Sequence, residues 1–215
     1  MIKIMKTVFQ ILLTIAILVL AYFCVDSINR PLKFKDEHEY RRAKVIERLQ
    51  DIRSAQVAYR TVNGNYTADF DSLVAFVAND SLPLVRMEGS LTDSMLNAGM
   101  TEATALRMGI IKRDTTRISV MDSLFNKKHW IVDSLPYVPF TNGKTKFELG
   151  IATILTASQV EVPVFEAKVH NNIYLEGLEK QEVININDRQ RKLERYPGLS
   201  VGSLTEANNN AGNWE

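Results

Sequence analysis

Residues 7–25 read TVFQILLTIAILVLAYFCV, a run without a single charge whose notable polar breaks are Gln10 and Thr14. About 20 such residues in a helix cross roughly 30 Å of hydrocarbon. Inside lipid the backbone must satisfy its own hydrogen bonds, and a helix does that without a partner. The run therefore predicts one N-terminal transmembrane helix, with the lipid bilayer as partner and Val8, Ile11, Leu12, Ile15, Leu18 and Tyr22 as anchoring side chains. Nearly everything else is expected on one side of that membrane.

Lys3 and Lys6 precede the run as in a secretory signal, but a cleavable signal has an apolar core of about 7–15 residues and small residues at its cut site. Here the core is longer, and Tyr22, Phe23 and Val25 fill the places that need small residues. Phe23 likewise stands where a lipoprotein signal needs Gly or Ala before Cys24. An uncleaved anchor is the expectation. Cys24 is the only thiol, so no intramolecular disulfide forms. Cysteine usage leaves the redox compartment open.

Beyond the anchor, 26 basic against 25 acidic residues give a net charge of +1. That balance supplies no global field for nucleic acid or acidic substrates. From residue 37 to 62 the chain turns periodic. Val45, Leu49, Ile52, Gln56 and Tyr59 recur at alternating steps of four and three, the spacing of a helical seam. Ile46, Ala55, Ala58 and Val62 widen the stripe, while Arg42, Glu47, Arg48, Asp51, Arg53 and Arg60 are expected on the opposite face. Two heptads fall short of a coiled coil, so the seam is expected to dock on its own domain. It is also the candidate association face. Pro31 predicts a kink or break just outside the membrane, and Asn63-Gly64 predicts the helix stop.

Further on, short helices are expected over residues 69–77 and 101–108, and strands over 117–121, 144–154 and 160–169. The last two flank Thr156-Ala157-Ser158-Gln159 as a hairpin would, with Pro163 demoting its strand to an edge or bulge. Helices first and strands later predict an α+β fold: a transmembrane helix, an amphipathic helix, then a small mixed domain with an antiparallel sheet. The expected divisions are 1–28 for the short tail and anchor, 29–63 for the connecting helix, 64–200 for the globular domain and 201–215 for an irregular tail. Trp214 is the residue expected to pin that tail to the surface.

Motifs of chemistry are weak. Gly198-Leu199-Ser200-Val201-Gly202 satisfies the G-x-S-x-G elbow, but that mechanism needs a His after the Ser, and His38, His129 and His170 all precede it. The histidines have no zinc-binding spacing. Asn185, Asn187 and Asp188 lack the acidic density of a calcium loop, so backbone capping is their expected role. Asn65-Tyr66-Thr67 fits the N-glycosylation pattern, which also arises by chance. No Gly-rich phosphate loop is present. The chain is expected to be non-enzymatic, with no catalytic residue, metal, cofactor or small-molecule substrate.

Residues 51–66, DIRSAQVAYRTVNGNY, running on to Leu73-Val74, resemble the point in type IV pilins and type II secretion pseudopilins where the long N-terminal helix ends. There, Ala and Tyr at helical spacing precede a Gly turn, a Tyr and a short helix. The order of parts is similar too: basic start, membrane helix continuing into a soluble helix, then an α+β head with a hairpin. The resemblance implies a filament or secretion-machine subunit whose partners are protein chains or copies of itself. The family's leader Gly and helix Glu have no counterpart, since no Gly precedes the run and no Glu lies in it. Processing and polymerisation therefore do not transfer. The arrangement also resembles the uncleaved bitopic scaffolds of such machines.

Asp-Ser or Asp-Thr triplets at Ser72, Ser81, Ser94, Thr115, Ser123 and Ser134 resemble the O-glycosylation acceptors of exported proteins in some Gram-negative bacteria. Each alone equally suits a turn or helix cap. Lys and Arg near the helix ends number two on the N-side (Lys3, Lys6) and seven on the C-side (Arg30, Lys33, Lys35, Arg41, Arg42, Lys44, Arg48), which by the positive-inside rule points the domain to the cytoplasm. Asp36, Glu37, Glu39 and Glu47 interleave with those cations, and the triplets point outward. The expected location is the bacterial inner membrane, single-pass, with the C-terminal domain periplasmic.

Overall fold

The computed structural model describes residues 2–126, 130–156 and 158–215. Its dominant element is helix α1 (Ile2–Asn63), 62 residues without interruption. At 1.5 Å per residue it is roughly 90 Å long. Pro31 lies inside it, so the break expected there does not occur; the ring removes one donor while the ladder continues on either side. Gly64, at φ +83°, ends the helix, its N–H donating to the Arg60 carbonyl at 2.8 Å.

The two halves of α1 live in different surroundings. Ile11, Leu12, Ile15, Leu18 and Tyr22 are all more than half exposed, and no residue of the most apolar window is buried. By length and composition this is the one helix among the described residues able to cross a membrane. Val8 lies on the same helix, but its side chain is outside the described ones. In the second half Val45, Leu49, Ile52, Ala55 and Gln56 have no exposed surface.

After α1 come α2 (Phe70–Asn79), β1 (Ser81–Glu88), α3 (Asp93–Asn97), α4 (Glu102–Arg107) and β2 (Lys112–Ser119). Asp69 caps α2, accepting from the Asp71 and Ser72 N–H groups, and these bonds satisfy orphan donors of the first turn. Leu73, Phe76 and Val77 face the core. β1 and β2 pair antiparallel from Ser81↔Ser119 to Glu88↔Lys112, a two-stranded arm that carries α3 and α4 at its far end. Only residues 117–119 of the strand expected over 117–121 lie in β2. Val120 and Met121 instead start α5 (Val120–Phe125), because both enter the core from its first turn.

α6 (Trp130–Ser134) follows, then β3 (Glu148–Leu155) and β4 (Glu161–His170), the expected hairpin, starting four residues later than the sequence suggested. α7 (Asn171–Tyr174), α8 (Lys180–Lys192) and β5 (Gly198–Gly202) complete the chain, and the sheet order is β3-β4-β5. β4 is thus central, although Pro163 predicted an edge. Pro163 pairs only with Thr153, because β5 begins its pairing at Glu166; at Pro163 the strand has an open side after all.

Helix α1 lies across this sheet and against α2, α5 and α7. Phe165, Ala167 and Val169 of β4 alternate inward with Leu199 and Val201 of β5, and all five join the core around Leu49 and Ile52. Gln56 is polar within that seam for a local reason. Its Nε2 donates to the Thr67 carbonyl at 2.7 Å and its Oε1 accepts the Thr67 N–H at 3.2 Å. One side-chain amide thereby closes the turn between α1 and α2. In full-length protein in detergent, Leu49→Ala should cost about 2–5 kcal/mol. Gln56→Leu should cost about 1–3 kcal/mol, because the half-buried Thr67 loses the partners of both its N–H and its carbonyl. Both are read as a fall in thermal midpoint.

Candidate functional site

The surface with most to do is where the second half of α1 meets the head. Arg48 and Arg53 were expected on the face away from the seam; both are instead half-buried and reach the head, as does Arg41. Arg41 Nη1 donates to the carbonyls of Tyr174 at 3.1 Å and Glu176 at 2.9 Å, where α7 ends, while Nε holds Glu37 at 2.8 Å. Arg48 donates to the Ser134 carbonyl at the end of α6 and lies 5.8 Å from the Trp130 ring centroid. The Arg41 bonds go to carbonyls just past a helix end, where the helix ladder supplies no donor, and Arg48 adds a second donor to the Ser134 carbonyl, which also accepts the Tyr137 N–H at 3.1 Å. Arg53 pairs with Glu215 at 2.7 Å. Helix α1 is therefore clasped at three heights.

The candidate association face, Val45, Leu49, Ile52, Gln56 and Tyr59, is consumed in this docking. Four of the five are fully buried, and Tyr59 packs edge-on against Phe76 at 5.1 Å. A partner cannot reach it. What α1 leaves exposed lies to one side. Val57, 43% exposed, opens on a groove of about 990 Å³ shared with Tyr66, Leu82, Leu84, Ile118 and Leu124.

The C-terminal segment is not free either. Asn213 N–H donates to the Ser200 carbonyl at 3.0 Å, its Oδ1 accepts the Ser200 N–H, and Gly202 N–H donates to the Ala211 carbonyl. Residues 211–213 thus cover the outer edge of β5, which would otherwise offer unpaired backbone groups. After Gly202 the tail holds no helix or strand, yet its backbone bonds tie it down as a strap, with Trp214 packed on the core. The same geometry answers the G-x-S-x-G match. Ser200 is on a strand, and a Cβ at Gly198 or Gly202 would come within 2.1 Å of a β4 carbonyl oxygen. The glycines serve close backbone approach.

Asn187 does not cap backbone. It lies on α8, buried, accepting from Asn171 at 2.8 Å and donating to Asn172 at 2.7 Å, while Tyr174 Oη donates to Asn171 Oδ1 at 2.8 Å. This amide ladder fixes α8 to α7, and nothing in the periodicity announced it. Of the candidate acceptor residues, Ser72, Ser94, Thr115 and Ser123 are exposed, while Ser81 and Ser134 are half-buried. The Ser72 hydroxyl donates to Asp69 and that of Ser134 to the Trp130 carbonyl, both local helix bonds. His129 lies outside the described residues. Among the described residues no three His, Cys, Asp or Glu side chains converge.

Burial perturbs titration at several groups around the helix. Burial, assisted by Arg42, holds His38 below its ordinary value of 6.5, and its ring stacks on Phe34 at 5.9 Å. Burial pushes Tyr196 up to about 12, with Glu148 and Glu166 adding to it. Tyr174 is raised by burial as well. None of these groups lines up with a second one in the manner of an acid–base pair.

Comparison with protein families, curated proteins and solved structures finds no match to this chain.

The His38 shift gives a pH dependence whose sign is definite. A folded pKa below the unfolded one means that the unfolded chain binds more protons. The stabilisation is complete above pH 6.5 and is lost as pH falls through the folded value. Between about pH 8 and pH 5 the thermal midpoint of the parent should fall more than that of His38→Gln.

Proposed function

We propose that this chain is a non-enzymatic, single-pass protein of the bacterial inner membrane whose head stands in the periplasm as a subunit or scaffold of a pilus- or secretion-type assembly. The observation that carries this reading is the continuity of α1. One helix supplies both a bare apolar half and the spine of the head. Such a helix couples the head rigidly to the membrane, as an assembly that moves or orients subunits in a bilayer requires. The order of parts supports it too: Gly64 stop, Tyr66, then the short α2, with the helix lying across an antiparallel sheet, in the order of the pilin-like front end.

A second reading has its own support. The seam of α1 is spent on its own head, which suits an anchored periplasmic binding or structural domain unrelated to pili. The two readings differ in whether other membrane proteins bind. In the first, the partner surface is the groove beside Val57, because it is the apolar face that the head leaves open along α1.

A reporter fused after Glu215 should be active in its periplasmic form. Extracted in mild detergent, the chain should carry other membrane proteins with it. The paired change Val57→Asp and Leu84→Asp should release them while moving the thermal midpoint little, since both side chains are already exposed. A monomer that elutes alone, before and after the change, would establish the lone anchored domain instead.

A further inference from the structure

The apolar run ends at Val25, and its last turn carries Tyr22 and Phe23, edge-on to each other at 6.0 Å and both well exposed. Aromatic side chains of this kind collect at the level where hydrocarbon meets headgroups. Asp26 is the first charge after the run, and Arg30 closes on it at 2.6 Å. The head begins at the same height. The turn after α7 and the first turn of α8 stand beside α1, so that Phe23, Asp26, Arg30, Glu179, Gln181 and Glu182 line one small groove. Glu179 is close enough to add to the rise that Asp26 imposes on the Arg30 guanidinium. One turn after Arg30, Phe34 is already buried.

Distances along the helix leave no room for a stalk. Five residues separate Val25 from Arg30, about 7.5 Å of helix. The headgroup layer on each side of a bilayer is roughly 5–8 Å thick. Whatever lies beside Asp26 and Arg30 therefore lies in that layer. The side chains found there suit it: Glu179, Lys180 and Gln181 are exposed, polar and together of both signs. Hydrocarbon would exclude them, whereas headgroups bearing a phosphate and an amine match both charges.

We propose that the segment from Glu179 to Glu182 sits in the headgroup layer of the bilayer, so that the head rides directly on a zwitterionic membrane surface. The proposal rests on the reading of α1 as a membrane anchor. Its consequence is that the membrane-proximal end of the head is occupied by lipid. Protein partners then approach from the side or from the far end.

The test uses the full chain in a Cys24→Ser background, with single bimane labels at Lys180→Cys, Gln181→Cys, Leu18→Cys and Val62→Cys. Each variant is reconstituted in phosphatidylcholine–phosphatidylethanolamine vesicles carrying a nitroxide on either the headgroup or the acyl chain. Labels at 180 and 181 should lose more than half their emission to the headgroup nitroxide and little to the chain nitroxide. The label at 18 should lose its emission to the chain nitroxide, and the label at 62 should lose neither. If 180 and 181 are quenched no more than 62 while 18 is quenched, the head stands clear of the lipid; the seat is overturned and the anchor stands. If 18 is quenched by neither probe, the anchor reading fails and takes the seat with it.

Discussion

Everything in this molecule follows from one helix being asked to satisfy two surroundings. The first half of α1 presents apolar side chains on all sides, which only lipid or close packing stabilises. The second half presents one apolar seam, which needs a partner on one side and water on the other. Because the helix is continuous through Pro31, the two demands are mechanically linked. The head cannot turn independently of the apolar half. The burial of Val45, Leu49 and Ile52 is therefore both the core of a domain and the joint that holds that domain to the apolar half of the helix.

Around that joint, polar groups do most of the fixing. Hydrophobic burial stabilises the contact without setting its register. The arginines set it, because Arg41 and Arg48 bind backbone carbonyls at the ends of α7 and α6, positions that exist only in one alignment of helix and head. Gln56 does the same for the turn that follows α1. The C-terminal strap closes the last open edge of β5 and is itself tied back to α1 through Arg53 and Glu215. The head is thus bounded by its own chain along α1 and β5. The arm of β1 and β2 and the groove beneath it remain open.

Periodicity disclosed part of this and missed the rest for identifiable reasons. The seam of α1, the cap of α2 and the β3–β4 hairpin have strong local patterns, and all three appear close to where the pattern puts them. α8 was invisible because its sequence, KQEVININDRQRK, has only three apolar residues, and its inward face combines Val183 and Ile186 with the polar Asn187. β1 contains Pro83 and β5 contains two glycines, residue types that weaken a strand pattern, and neither strand was among those expected. The strap at 211–213 has no periodicity at all, since its backbone bonds to β5 while its side chains repeat nothing.

By itself, the sequence determined that an uncharged run of membrane length leads into an amphipathic helix and an α+β head. Those are properties of neighbouring residues, legible from spacing and hydropathy. Only the tertiary structure decided what the amphipathic seam touches, because a buried seam and a partner-binding seam have the same spacing. It also decided that Arg48 and Arg53 grip the head rather than water, that Asn187 belongs to a buried amide ladder, and that Glu179 comes to stand beside Arg30. Each of these joins residues far apart in the chain, and a local pattern carries no information about which distant group will close the contact.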